Sequence, residues 1–139
     1  MGYKAYLYLI IEGQDLQFDE ISEKLSRMPQ FSYKRGETFY DRFERCDKTQ
    51  DKDCLMFYVE TNENEDFERC LEAFVEKVYV SKEVLNRISQ KNDVIFKLSV
   101  YPEKVQCLIP LAAKTISRLA EMGASVVIDS MFLKEFYEG

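Results

Sequence analysis

A chain of 139 residues with 46% hydrophobic content is too apolar for wholesale disorder, and long enough to bury roughly 68% of its unfolded surface. It holds no His and no Trp, which excludes a His general base, a Ser-His or Cys-His nucleophile pair and a His-ligated zinc. Its five scattered Gly form no phosphate-cradling loop, and a formal net charge of −6 weighs against nucleic acid and anionic membrane surfaces as partners.

The first predicted element is a strand from Lys4 to Glu12. Ala5, Leu7, Leu9 and Ile11 point one way along it, and Tyr6, Tyr8 and Ile10 the other. Gly13 to Asp15 make a turn. A helix follows from Phe18 to Met28, with Phe18, Ile21, Leu25 and Met28 on one face, and Pro29 stops it. The aromatic and charged stretch from Phe31 to Phe43 reads as one or two short strands around Lys34-Arg35-Gly36-Glu37. Residues 41–53 are dense in charge and read as a solvated loop.

Cys54 to Thr61 is the next strand, with Leu55, Phe57 and Val59 alternating against Met56, Tyr58 and Glu60. Asn62 is the expected cap of an amphipathic helix whose apolar face is Phe67, Cys70, Leu71, Phe74, Val75 and Val78. Ser81 caps a shorter helix carrying Val84, Leu85 and Ile88. A strand from Asp93 to Tyr101 sets Val94, Phe96, Leu98 and Val100 on one face, and Pro102 ends it. The last helix is expected from Pro110 to Met122, closed by Gly123, and the last strand from Ala124 to Leu133. Residues 134–139 read as a frayed tail.

This order predicts one α+β domain over 1–139, a mixed or antiparallel sheet with helices packed on one face. The topology chosen is a ferredoxin-like βαββαβ core with an added strand-helix unit. The expected core comprises Leu7, Leu9, Ile21, Leu25, Leu55, Phe57, Phe67, Leu71, Phe74, Leu98, Leu119, Val126 and Ile128.

The longest apolar stretch, Ala5 to Ile11, falls far short of the roughly 18 residues a membrane span needs, and lacks the flanks of a signal peptide. A cytoplasmic location is expected. Cys46, Cys54, Cys70 and Cys107 form no CxxC pair and match no zinc spacing, so all four are expected to be reduced thiols. No metal and no cofactor is expected.

Nine Tyr in one short chain carry more information. Tyr6, Tyr8, Met56, Tyr58 and Tyr101 all fall on the strand face opposite the aliphatic one. Tyrosine suits a partly wet face, because it buries a ring while its hydroxyl stays hydrated. These five residues are the candidate partner-binding face, for a protein partner or for self-association. RNA-binding sheets use aromatics similarly, and Lys34-Arg35-Gly36 is similar to the start of their strand motif, but Glu37-Thr38-Phe39 departs from it and the net charge opposes it. Asp129, opposite in parity to Ile128, is a candidate general base; its bland counterpart is an open-face acid paired to a cation. The acids Glu60, Glu63, Glu65, Asp66 and Glu68 lack calcium-loop spacing and read as helix-dipole complements.

Two stretches carry a resemblance. The first is Leu16-Gln17-Phe18-Asp19-Glu20-Ile21, then Met28-Pro29 and Lys34-Arg35-Gly36-Glu37; the second is Leu119-Ala120-Glu121-Met122-Gly123-Ala124 and the apolar run to Asp129. Their order and spacing resemble a small bacterial domain-of-unknown-function family, DUF4279-like and uncharacterised. Gln17 and Phe18 stand where that family tends to have Asp-Pro, and this chain has no Trp where the family has one near the middle strand. The resemblance implies a bacterial cytosolic single domain with no established activity, of a kind sometimes encoded near toxin-immunity loci. The function expected is a non-enzymatic protein-interaction module built on the aromatic face, with an immunity-protein-like variant. The alternative is a small-molecule binder or small enzyme with Tyr, Asp and Arg in a cleft.

Overall fold

The computed structural model describes residues 4–42, 44–62, 64–102 and 108–130. In chain order they form β1 (Lys4–Gly13), α1 (Phe18–Leu25), β2 (Phe31–Tyr33), β3 (Thr38–Asp41), β4 (Cys46–Thr49) and β5 (Asp53–Thr61). Then come α2 (Phe67–Tyr79), α3 (Lys82–Ser89), β6 (Asp93–Tyr101), α4 (Ala113–Glu121) and β7 (Ser125–Ser130).

The alternation in β1 organises the molecule. Ala5, Leu7, Leu9 and Ile11 are at most 1% exposed, while Tyr6 and Tyr8 between them are partly open. β1 is flanked by β5 and β6, both antiparallel to it. The register sets Leu9 opposite Phe57 and Phe96, and Ile11 opposite Leu55 and Val94. Three aliphatic sets therefore share one side of the sheet, and the helices close over them. Ile21 and Leu25 of α1, Phe67, Leu71, Phe74, Val75 and Val78 of α2, Leu85 of α3 and Leu119 of α4 belong to that same core. Burial of a Leu or Phe there contributes about 1.5–3 kcal/mol.

Among the described residues the main sheet has five strands in the order β2-β5-β1-β6-β7. β2 pairs antiparallel with β5, and β7 pairs parallel with β6. Directions alternate from β2 to β6, so β1 and β2 run the same way with β5 between them. By the same alternation β5 and β6 run the same way with β1 between them. Two split βαβ units thus interleave, one bridged by α1 and one by α2 and α3. The step β6-α4-β7 adds a parallel strand at one edge. The result is a mixed sheet in an α+β fold.

Several local signals act as the sequence predicts, and others move. α1 ends at Leu25, not Met28, because Ser26 takes a left-handed conformation at φ 53°. The Ser26 amide then donates to the Glu23 carbonyl and the Arg27 amide to the Ser22 carbonyl, which closes the helix before Pro29 is reached. Asp66, not Asn62, caps α2: its carboxylate accepts from the Arg69 amide at 3.3 Å. Ser81 occupies the cap position of α3 but makes no side-chain cap bond. α4 begins at Ala113 rather than at Pro110, and Gly123 closes it at φ 70°. A Cβ at Gly123 would sit 2.2 Å from the Ser89 hydroxyl oxygen, so a side chain there is strained in the backbone and also requires Ser89 to shift.

Two expectations are corrected. Residues 41–53 are not one charged loop: β4 lies within them and pairs antiparallel with β3 in a separate two-stranded sheet. Lys48 on β4 pairs with Asp41 on β3 at 3.1 Å and with Glu44 in the turn between them at 2.9 Å. Those partners, Glu44 first, raise the Lys48 ammonium to about 12. The second correction concerns Val126 and Ile128, which lie 40% and 46% exposed rather than in the core. Among the described residues β7 is an edge strand, so its helix-side residues have sheet neighbours on one side only. Expected features in 131–139 and at Cys107 lie outside the described residues.

Candidate functional site

Strand parity gives the sheet a second face. Residues directly opposite each other in a register point to the same side. On the side away from the core, Tyr8 therefore lies beside Tyr58 on β5 and Lys97 on β6, and Tyr6 lies beside Glu60 and Ser99. Tyr101 lies opposite Lys4 on that side.

The side chains meet as the register requires. The Tyr6 ring centroid is 6.1 Å from that of Tyr8, 5.8 Å from Tyr58 and 6.2 Å from Tyr101. Tyr58 and Tyr101 stand nearly edge-on to Tyr6, at 70° and 89°. Tyr8 and Tyr58 are 5.6 Å apart and tilted by 50°. Each such pair is worth about 0.5–1.5 kcal/mol beyond its buried area. Lys97 Nζ lies over the Tyr8 ring, 5.9 Å from its centroid. Burial raises the Tyr6 and Tyr8 phenols above their ordinary pKa, and for Tyr6 the Glu60 carboxylate adds to the rise. Both rings are therefore neutral donors at pH 7.

Four of the five predicted site residues, Tyr6, Tyr8, Tyr58 and Tyr101, thus form one ring cluster. Met56 shares the face but sits beside Ile10 and Phe31, outside the cluster. Sequence reasoning missed three contributors. Phe31 stacks on Tyr58 at 5.9 Å and on Tyr33 at 6.2 Å, extending the aromatic surface across β2. Phe31-Ser32-Tyr33 does alternate, but three residues are too few to fix a face without their partner strand. Gln30 holds this edge in place: its amide donates to the Tyr58 carbonyl at 2.6 Å and accepts from the Tyr58 amide at 3.0 Å. Lys97 was legible by parity, since it lies between core residues Phe96 and Leu98.

Asp129 is on this same face. Its register partner is Ser99, whose partner on β1 is Tyr6, whose partner on β5 is Glu60. One row across four strands therefore reads Asp129, Ser99, Tyr6, Glu60. Glu12 is six residues along β1 from Tyr6, about 20 Å away in an extended strand. That exceeds the roughly 5–9.5 Å separating paired catalytic carboxylates, so Glu12 and Asp129 form no such pair. The acids before α2 have local duties: Asp66 caps the helix, and Glu65 accepts from the Asn62 amide at 3.3 Å. Glu63 lies outside the described residues.

Charged groups converge at a second place, a depression lined by Asp15, Asp19, Glu20, Lys34, Arg35 and Asp53. The two halves of the first sequence motif meet here. The Asp53 carboxylate accepts from the Arg35 amide at 2.8 Å and from the Leu16 amide at 3.0 Å. Lys34 Nζ lies over the Phe18 ring, 5.4 Å from its centroid. Both oxygens of Asp53 thus tie backbone segments together, and the cation rests on an aromatic ring. The chemistry is that of a junction.

Cys46, Cys54 and Cys70 are free thiols. Among the described residues no helix is long and apolar enough to cross a membrane, and no group of three or more Cys, Asp or Glu is placed to hold a metal ion. The family model described as a domain of unknown function, DUF4279, matches residues 3–133. No curated protein and no solved structure matches the chain.

Proposed function

The chain belongs to the domain-of-unknown-function family DUF4279, and from the geometry of its sheet we propose that it is a non-enzymatic protein-interaction module. The observation that carries this reading is the cluster of Tyr6, Tyr8, Tyr58 and Tyr101 on the face turned away from the helices. A tyrosine surface presents large apolar area at low conformational cost and keeps its hydroxyls for polar partners. Met56 and Phe31 widen it with apolar surface. The partner is a protein, either a second copy or a different chain. An immunity-protein-like role fits the net charge of −6, because acidic inhibitors complement basic targets. The described cysteines, Cys46, Cys54 and Cys70, are free thiols, which suits a reducing cytoplasm. The interleaved split βαβ units support reading the core as ferredoxin-like with an added strand-helix unit.

The test is the Tyr8→Ala, Tyr58→Ala double variant. It should lose association, measured by sedimentation and by capture from the native host, while still folding cooperatively at a lowered melting temperature, because the ring pairs among Tyr6, Tyr8, Phe31 and Tyr58 are lost with the two side chains. Truncation of an interface aromatic removes about 2 kcal/mol or more, roughly 30-fold in affinity for each ring. A variant that unfolds, beside a wild type that is monomeric and captures nothing, would show the rings to be core and remove the proposal.

A further inference from the structure

The two edges of the main sheet are built differently, and the difference points to a second copy of the chain. We propose that β7 pairs antiparallel with β7 of a second molecule, about a twofold axis at Val127, so that two five-stranded sheets join into one. This surface is separate from the tyrosine cluster, and two observations carry it.

The first is the contrast between the edges. An edge strand offers its backbone amides and carbonyls to any other strand, and folded proteins blunt such edges with short strands, charged side chains, Pro or bulges. One edge here is blunted. β2 has three residues, and beyond it the Gln30 side chain takes both the amide and the carbonyl of Tyr58. The other edge is open. β7, Ser-Val-Val-Ile-Asp-Ser, carries one charge, Asp129, and no Pro or Gly. It pairs residue for residue with Ile95 to Val100, without a bulge. All six of its residues are exposed, and among the described residues no strand lies on its other side.

The second is that β7 is its own complement. A twofold axis perpendicular to the sheet keeps each face on its own side, so helix-side residues of one copy meet helix-side residues of the other. Val126 and Ile128 lie on the helix side, opposite Phe96 and Leu98, while Ser125, Val127 and Asp129 lie on the tyrosine side. With the axis at Val127, Val126 meets Ile128 of the second copy twice, Val127 meets Val127, and Ser125 meets Asp129 twice. Apolar residues thus cover apolar residues, and each Ser125 hydroxyl has a carboxylate to donate to. Neighbouring axes lose this match. An axis at Ile128 sets Asp129 against Val127, and one at Val126 sets Ser125 against Val127. A strand that reads as its own complement selects a second copy over a foreign segment. The pairing also places both tyrosine clusters on the same side of the joined sheet.

The experiment uses the full chain. Sedimentation from micromolar to millimolar concentration should show a dimer. Val127→Glu and Val127→Lys should each weaken it by about tenfold or more, because like charges then meet at the axis. Dilute samples of both should melt close to wild type, since Val127 is exposed. Mixing the two variants should restore a one-to-one heterodimer, and β7 amides of the wild type should gain protection from hydrogen exchange as concentration rises. A wild type that stays monomeric, or a dimer that both variants keep, would overturn the proposal. So would a mixture that fails to associate, or β7 amides already protected in the dilute monomer, which would mean that the chain covers this edge itself. In the Val127→Glu background the Tyr8→Ala, Tyr58→Ala test reads the tyrosine face alone, so the two surfaces fail separately.

Discussion

Asp53 is the residue whose removal the fold should feel out of proportion to its size. Its carboxylate is buried and accepts from the Arg35 and Leu16 amides, joining the start of β5 to the β1-α1 and β2-β3 connections. The hydrogen bond from the Arg35 amide lowers its pKa most; burial opposes the fall, and the Leu16 amide and the nearby Lys34 and Arg35 charges add to it. The folded pKa lies below the unfolded one. The resulting stabilisation is therefore complete above the ordinary carboxylate range and disappears as pH falls through the folded pKa. Asp53→Ala should cost about 2 kcal/mol at pH 7. Denaturant titrations of both proteins should show that difference shrinking as pH is lowered toward and through the folded pKa; a difference that stays constant would mean that the carboxylate charge is not what the amides need. Thiol reactivity follows from the same kind of local reading. Burial, with Glu12 nearby, raises Cys54 to about 11, whereas Cys46 is exposed on β4. Cys46 should react with a neutral-pH thiol reagent well before Cys54, and unfolding should release four reactive thiols. Labelling of Cys54 at the rate of Cys46 would contradict its placement.

At the scale of elements, α2 is the helix most fully committed to the core. Phe67, Leu71, Phe74, Val75 and Val78 are all buried on one face of it. Leu71→Ala should cost about 2–5 kcal/mol, as a large-to-small change that leaves a cavity. A melting temperature within a degree or two of wild type would mean that this face is misassigned. The end of α4 tests a different cause. Gly123 holds φ 70° and closes the helix through its own amide to Ala120 and the Ala124 amide to Leu119. Gly123→Ala should cost about 1–3 kcal/mol from backbone strain alone, more if Ser89 fails to move aside. Leu71 was legible from periodicity, and Gly123 from its place after the last periodic residue. Asp66 as the cap of α2 was not, because Asn62 offers the same chemistry four residues earlier, and only the start of the helix decides between them.

The molecule as a whole is graded from a central strand to weak edges. β1 has hydrogen-bonded neighbours on both sides along nearly its whole length. β2 has three residues, and β7 carries Val126, Val127 and Ile128 at 40%, 44% and 46% exposure. Amide hydrogen exchange should be slowest at Leu7, Leu9 and Ile11, and fastest in the β3-β4 hairpin, which lies apart from the main sheet. Protection in the hairpin equal to that of β1 would require a contact that buries it. The tyrosine face spans the slow centre, so its rings are held by the most stable part of the sheet. That suits a preorganised surface, because little ordering remains to be done on binding.

The sequence by itself determined which side of each long strand is core. Leu7, Leu9 and Ile11 against Tyr6 and Tyr8, and Leu55 and Phe57 against Met56 and Tyr58, record burial directly, because a strand turns alternate residues to opposite faces. It determined α2 in the same way, through a wider period. Where no face is buried the periodicity is silent, and so β4, exposed along almost its whole length, reads as loop. Tertiary structure alone decided which strands are neighbours. Tyr6 meets Glu60, Ser99 and, through it, Asp129, although these residues lie far apart in the chain. It also placed β7 at the edge of the sheet that the described residues form, with Val126 and Ile128 half open despite their apolar pattern. A residue's own period reports that it has a buried side; what lies against that side is a relation between distant segments, fixed only when the strands pair and the helices close over them.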